Sequence, residues 1–131
     1  MKLVLPTAII LPRKKKKPRR IALSKNQERN MHYAIYNQVK KAFVEEVKKA
    51  MPKGFKLIPP IHMHFTYYHG SRHLGDLDNA VSVVRKFLQD SLVELGYLEE
   101  DNWHFIPSSS EEFGGIDPKN GRVEVTFTSK I

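Results

Sequence analysis

The spacing of the apolar residues changes along the chain, and each spacing predicts one kind of element. Residues 1–11 are mostly apolar and predict a strand. Residues 55–68 alternate between apolar and polar positions, which predicts a second strand with one face toward the core. A similar alternation predicts a strand over 122–128, and a weaker apolar pattern predicts one over 103–106. The polar segments between these elements, including residues 107–121, are predicted as loops.

Two segments carry the three-to-four spacing of amphipathic helices. The first starts at a capping-box sequence, Ser24 to Gln27, and continues to Ala50. The second covers residues 79–95, and Gly96 follows in the position that favours a positive φ angle. The order strand, helix, strand, helix, strand, strand predicts an α/β (α+β) fold, in which a small mixed sheet of about four strands has both helices packed on one face.

Length and composition place the chain among ordinary single domains. With 131 residues, of which 40% are hydrophobic, one domain over 1–131 can bury a core. The absence of cysteine excludes disulfides and cysteine zinc sites. Because no apolar stretch is long enough for a membrane span and residues 1–11 lack the charge order of a signal peptide, we expect a cytoplasmic protein with no membrane partner.

Positive charge is concentrated in the first part of the chain. Residues 1–56 carry a formal charge of +13 and residues 57–131 carry −5, which together give the net +8. A predicted mobile loop at about 12–22 contains seven cations: Arg13, Lys14, Lys15, Lys16, Lys17, Arg19 and Arg20. Such a run favours nucleic-acid binding through phosphates, although a solvated loop or a nuclear-targeting signal has the same composition.

Paired acidic residues stand just before the second predicted helix, in the sequence Gly75-Asp76-Leu77-Asp78-Asn79. Asp at a helix start is most often a cap, whereas two carboxylates so close together also suit a magnesium ion. A second acidic cluster, residues 99–101, follows Gly96. If the chain after the helix folds back toward Asp76 and Asp78, Asp101 completes a three-carboxylate site. Sites of this kind are used in metal-assisted phosphodiester hydrolysis.

Four histidines, His62, His64, His69 and His73, offer a competing zinc site. They form no closed ligand set at a familiar spacing, so phosphate or base contacts and an ordinary solvated strand face are the alternatives. The neighbouring Tyr67 is more typical of sheet packing than of base stacking.

The Asp76-Leu77-Asp78-Asn79 motif at a helix entry, the acidic turn at 99–101 and the final Gly121-Arg122-Val123-Glu124-Val125-Thr126 strand together resemble the RusA family of Holliday junction resolvases. The early basic loop, Leu23-Ser24 and the first helix are similar to the N-terminal half of that family. The resemblance therefore covers nearly the whole chain.

The resemblance implies a homodimeric endonuclease that uses Mg²⁺, or Mn²⁺, to make paired symmetric nicks in four-way DNA junctions during recombination and repair. A bacterial or prophage origin and a cytoplasmic location follow from it. It implies that Asp76, Asp78 and Asp101 are catalytic metal ligands and that Asn79 supports either the site or the helix entry.

The acidic turn departs from the family pattern, because it offers Glu99, Glu100 and Asp101 where fewer acids suffice. Glu99 and Glu100 are therefore alternatives to Asp101 as the third metal ligand.

The chain also departs from the family pattern at two other positions. A functional lysine one turn after the second Asp corresponds to Ser82 when counted forward and to Lys86 when counted back from Gly96, and Lys86 is favoured. The residue before the first Asp is often basic in the family and is a glycine here, so Arg72 or His73 has to supply that charge. These two residues and Arg85 complete the predicted nucleic-acid contacts.

Two other function classes use the same residues. A non-catalytic DNA- or RNA-binding module needs the cations and leaves the acids as helix caps. A zinc-dependent regulator needs the histidines.

Overall fold

A four-stranded mixed sheet, a two-stranded sheet and three helices make up the fold over the described residues, 2–72 and 74–129, of a computed structural model. The elements are β1 (Lys2–Pro6), β2 (Ala8–Leu11), β3 (Arg19–Ala22), α1 (Lys25–Arg29), α2 (Tyr33–Ala50), β4 (Ile61–His69), α3 (Leu77–Glu94), β5 (Ser108–Ile116) and β6 (Arg122–Ser129). This architecture confirms the predicted α+β class, the four-stranded mixed sheet and the two main helices.

The large sheet has the strand order β1-β6-β4-β5. The pairs β1/β6 and β6/β4 are antiparallel, whereas β4 and β5 are parallel and are connected through α3. In such a crossover the helix begins at the edge of the sheet where the first strand ends. The carboxyl ends of β4 and β5 and the start of α3 therefore lie at the same edge.

The core lies between one face of this sheet and the two long helices. α2 packs on β1, α3 packs on β4 and β5, and the two helices contact each other. Phe87 of α3 is 1% exposed and meets the rings of Tyr36 and Phe43 edge to face at centroid distances of 5.5 and 5.8 Å. Inward side chains of the sheet complete the core: Leu3, Leu5, Met63, Phe65, Val123 and Val125.

The N-terminal apolar run forms two strands and not the single predicted one. β1 pairs with β6 of the large sheet, and β2 turns away to pair with β3. The predicted basic loop at 12–22 is correspondingly shorter, because Arg19 and Arg20 lie in β3. Residues 12–18 connect the two strands, and all of them are exposed.

The predicted helix from Ser24 to Ala50 is broken into α1 and α2. The Ser24 hydroxyl accepts a hydrogen bond from the Gln27 amide at 3.3 Å, as the capping-box sequence predicts. A second cap follows, since Nδ1 of His32 accepts from the Ala34 amide at 3.1 Å. A histidine cap carries no common sequence signal, which is why the break was not predicted.

Among the C-terminal predictions, the second helix and the strand over 122–128 are confirmed, as α3 and β6, and two assignments are wrong. α3 ends in a Schellman motif, with Gly96 at φ +83° and the Tyr97 amide bonded to the Leu92 carbonyl at 2.8 Å. Residues 103–106 are a turn and not a strand, held by bonds to the Asn102 side chain and carbonyl. The predicted loop 107–121 contains β5, and the predicted strand over 55–68 begins only at Ile61.

None of the helices in the described part of the chain has the length and apolar character needed to cross a membrane.

Candidate nucleic-acid and metal-binding cleft

A cleft of about 1170 Å³ opens at the edge of the sheet where β4 and β5 end. The starts of α1 and α3 form one wall, and residues of β3 and of the segment after β5 form others. Asp76, Asp78 and Asn79 all line this cleft. The fold therefore places the acidic motif at the carboxyl ends of parallel strands, the usual location of ligand sites in sheets with such crossovers.

Asp76 is the N-cap residue of α3. Its backbone is extended, with φ −95° and ψ 124°, and its Oδ1 accepts a hydrogen bond from the Asp78 amide at 2.9 Å. Asp76 therefore caps the helix, which is one of the two roles that the sequence predicts for it. Metal binding is the other role. The cap fixes the direction of the Asp76 carboxylate toward the cleft that it lines.

Asp78 is bound to a cation from another helix. Nζ of Lys25 in α1 lies 2.5 Å from its Oδ2. The hydrogen bond and the charge of Lys25, with a smaller contribution from Arg85, hold the pKa of Asp78 below its ordinary value. The next residue strengthens the same junction, because Asn79 Oδ1 accepts from the Asn26 amide at 3.3 Å. The acidic motif thus joins the first turns of α1 and α3.

Positive side chains surround the two carboxylates. Among the described residues of the cleft wall, five are Lys or Arg, namely Arg20, Lys25, Arg29, Arg72 and Lys119, and two are acidic. Arg20 and Arg72 were predicted as nucleic-acid contacts, and both lie here. His73 was predicted beside them and falls outside the described residues.

The tip of the basic loop, residues 13–17, does not line the cleft. Nε of Arg13 donates to the Lys17 carbonyl at 2.8 Å and closes a turn that presents Lys14, Lys15 and Lys16 to solvent. The exposed run and the cleft are connected through β3, which carries Arg19 and Arg20. Together they form a basic surface that extends from the loop tip to the cleft.

Asp101 lies at the other end of α3. It lines a separate recess of about 300 Å³ with Lys40, Asp90 and Glu94. An 18-residue helix is about 27 Å long at about 1.5 Å per residue. The structure therefore brings Asp76 and Asp78 together and leaves Asp101 near the C-terminus of the helix that Asp76 caps.

Lys86 faces α1 and α2 and is not among the residues that line the cleft. Its Nζ lies 3.4 Å from Oε2 of Glu28 and 5.6 Å from the ring centroid of Tyr36. Tyr36 and then Glu28 raise the pKa of Lys86 above its ordinary value. The hydroxyl of the other candidate, Ser82, is buried without a hydrogen-bond partner in the described structure.

Arg85 is held inside the fold by an ion pair with Glu111 of β5. Its guanidinium also lies 5.4 Å from the ring centroid of Phe65. The two partners are only 24% and 27% exposed. Glu111 therefore already compensates the guanidinium charge that a nucleic-acid contact would use.

The histidines of β4 point to two different surfaces. His62 and His64 lie on the open face of the sheet, where both bond to Ser110 at 2.8 and 2.6 Å. His69 lies in the cleft and bonds to the Tyr67 hydroxyl at 2.8 Å. Within residues 2–72 and 74–129, no three His, Asp or Glu side chains are placed to share one metal ion.

The donors at the start of α3 suit a hard cation all the same. Mg²⁺ binds through one or two carboxylates and keeps several waters, and Asp76 and Asp78 supply two carboxylates in one open cleft. The Asp78 side chain is 54% exposed and already holds the ammonium of Lys25. The ammonium of Lys25 therefore occupies a position beside Asp78 that a bound metal ion would take from it.

Three cations of the cleft were not predicted as site residues: Lys25, Arg29 and Lys119. Lys25 directly follows the capping Ser24, so the sequence does indicate that Lys25 lies at the start of a helix. Its contact with Asp78 spans 53 residues of sequence, and periodicity carries no information about such a pair.

Comparison of the sequence with protein-family models and with curated proteins finds no match.

Proposed function

We propose that this protein is a magnesium-dependent endonuclease of the RusA type that acts on branched DNA. The observation that carries the proposal is the cleft in which Asp76 and Asp78 stand among five cations. Carboxylates that hold a divalent metal, next to side chains that hold phosphates, are the combination that metal-assisted phosphodiester hydrolysis uses. The resemblance of the Asp76-Leu77-Asp78-Asn79 motif to the resolvase family supports the same reaction.

Asp76 and Asp78 are the proposed metal ligands. Bound Mg²⁺ would polarise the scissile phosphate and lower the pKa of an attacking water. Asp76 keeps its direction through the cap to the Asp78 amide. Lys25 has to give up Asp78 when the ligand set forms, and its ammonium is then free to neutralise a phosphate oxygen.

Arg20, Arg29, Arg72 and Lys119 are the proposed phosphate contacts of the cleft, and the loop tip extends this surface. Such contacts position the DNA backbone and carry little sequence information. The family resemblance assigns catalytic roles to Lys86 and Asp101 as well. Both lie outside the cleft wall, so the proposed chemistry depends first on Asp76 and Asp78.

The proposal includes a homodimer. A four-way junction has two-fold symmetry, so two copies related by a two-fold axis would present one cleft to each of two opposed strands and make paired nicks. A bacterial or prophage protein of the cytoplasm, active in recombination and repair, fits this reaction.

A non-catalytic nucleic-acid-binding module is the second candidate. The observation that favours it is the structural use of both acids, since Asp76 caps α3 and Asp78 pairs with Lys25. In this case the cations bind phosphates and the acidic motif holds α1 against α3.

Cleavage of a synthetic four-way junction and of a linear duplex of the same sequence separates the two candidates. The assay uses Mg²⁺, Mn²⁺ or EDTA and compares wild type with Asp78→Asn. Asp90→Asn is the control, since Asp90 is also ion-paired on α3 but lies near its other end. We expect symmetric nicks that need the metal, are lost in Asp78→Asn and persist in Asp90→Asn, while Asp78→Asn still binds the junction because a negative charge in the cleft is removed. Tight junction binding without cleavage in any metal would refute the nuclease and leave the binding module.

A further inference from the structure

The floor of the cleft is aromatic. Tyr67 and His69 project from the end of β4, and Phe113 projects beside them from β5, where it is the register partner of Tyr67. The Tyr67 and His69 rings are 5.7 Å apart, and the Tyr67 hydroxyl is bonded to Nδ1 of His69 at 2.8 Å. Burial raises the pKa of Tyr67 above its ordinary value. Tyr67 and His69 are therefore held together on the strand next to Phe113.

Phe113 is exposed although it lies on the face of the sheet that the helices cover. Glu111, two residues earlier on the same face, is packed against Arg85 of α3, whereas Phe113 is 56% exposed and opens into the cleft. The strand changes register immediately afterwards, between the partners of Tyr67 and Tyr68. Gly114 at this bulge has no room for a side chain, because a Cβ atom would lie 2.7 Å from Tyr68 and from Thr66. The backbone therefore holds Phe113 at the cleft edge.

The surroundings of Phe113 combine apolar and positive side chains. Ile116 and Leu74 line the same cleft and are 47% and 92% exposed. Arg20 lies near Tyr67, whose pKa it lowers in opposition to the effect of burial. Lys119 lines the cleft on the segment after β5. An aromatic ring among cations is the combination that binds a nucleotide through base stacking and phosphate contact.

We propose that the cleft binds an unpaired nucleotide of DNA, with the base stacked on Phe113 and the flanking phosphates on Arg20 and Lys119. The inference rests on the proposed function, because it assigns the substrate class of the same cleft. A base inside an intact duplex has both faces covered by its neighbours and stacks on a protein ring only after it is unstacked from one of them. The protein therefore prefers DNA with unpaired bases, as in a gap or a single strand, over a continuous duplex, and at a four-way junction the site requires a base at the branch point to leave its pair.

The test measures binding by fluorescence anisotropy in EDTA, where cleavage does not interfere. The probes are a single-stranded oligothymidylate of about fifteen nucleotides, the same strand with abasic sites, and a blunt duplex. Phe113→Ala is compared with Phe113→Trp and with Trp103→Ala, which removes another exposed aromatic, 78% exposed and not among the residues lining the cleft. Circular dichroism checks that each variant is folded.

We expect Phe113→Ala to weaken binding of the oligothymidylate by about 5- to 100-fold, which corresponds to the loss of one base-aromatic stack. Binding of the duplex and of the abasic strand should change less than about twofold by the same reasoning. Phe113→Trp should restore binding, and in a Trp103→Phe background its fluorescence should be quenched by the oligothymidylate but not by the abasic strand. Trp103→Ala should behave as wild type.

Equal effects of Phe113→Ala on all three probes, or no effect on any, would overturn the inference. A change in sedimentation of Phe113→Ala without a change in oligonucleotide binding would also overturn it and assign Phe113 to contact with a second copy. If junction cleavage is absent and base-dependent binding is present, the proposed nuclease is refuted and the stacking site stands. Intact cleavage with base-independent binding refutes the stacking site alone.

Discussion

The ion pair between Arg85 and Glu111 makes a quantitative prediction about stability. It connects α3 to β5, and about three quarters of each side chain is removed from solvent. Nε of Arg85 is also buried without a hydrogen-bond partner in the described structure, so Glu111 is the main compensation for the guanidinium charge. Loss of Glu111 leaves a partly buried cation, and loss of Arg85 leaves a partly buried carboxylate.

The size of the effect follows from the exposure of the pair. Breaking a fully buried pair costs about 3–5 kcal/mol, and exposed pairs contribute about 0–1 kcal/mol. At one quarter exposure we expect Glu111→Gln and Arg85→Met each to lower the free energy of unfolding by about 2 kcal/mol. The double variant removes both charges, so its loss should be at least about 1 kcal/mol smaller than the sum of the single losses.

Urea unfolding followed by circular dichroism measures these values, with an unchanged m-value as the check that the unfolding transition is comparable. Losses that simply add in the double variant would refute the reasoning, as would a Glu111→Gln loss below about 0.5 kcal/mol, which is typical of surface positions. The Arg85→Met protein also tests the sequence prediction that Arg85 contacts nucleic acid. A direct phosphate contact would make the salt dependence of DNA binding shallower by about one unit of slope.

Two further predictions concern the basic loop and the open sheet face. Replacement of Lys14, Lys15, Lys16 and Lys17 by Gln should make the slope of log K against log salt shallower by about 3 to 4 for duplex DNA, measured by anisotropy, if all four contact phosphates; an unchanged slope assigns the loop to solvent. Arg122, with Lys2, depresses the pKa of Glu124, so this carboxylate stabilises the fold above its ordinary pKa of 4.5 and loses that effect as the pH falls further. Glu124→Gln should therefore be less stable than wild type near neutral pH and lose less stability on acidification below 4.5, measured by urea midpoints, whereas parallel pH curves for both proteins would contradict the pairing.

The elements with strong periodicity were predictable from the sequence. α3 carries an apolar stripe along its length, and its buried positions include Val84, Phe87, Leu88 and Leu92, as the spacing indicates. Gly96 ends it in the expected conformation. These signals are local, so they can be read without knowing what the helix packs against.

β5 was missed because its sequence carries no such signal. Its outward positions are Ser108, Ser110 and Glu112, and its inward positions include Glu111, which is neutralised by Arg85. A strand of this kind forms because β4 supplies backbone partners along its whole length. The information that makes it a strand therefore lies in another part of the chain.

The candidate site shows the same division. The acidic motif was found because Asp76 and Asp78 stand at a helix start, which local sequence defines. Its cation Lys25 lies 53 residues before Asp78, and the aromatic side chains of the cleft come from two strands, so only the fold brings these residues together.

Capping and metal binding do not exclude each other at Asp76 and Asp78. The cap uses Oδ1 of Asp76, and the ion pair of Asp78 is exposed enough to exchange one cation for another. A residue can therefore hold the helix in place and still belong to the chemistry of the cleft.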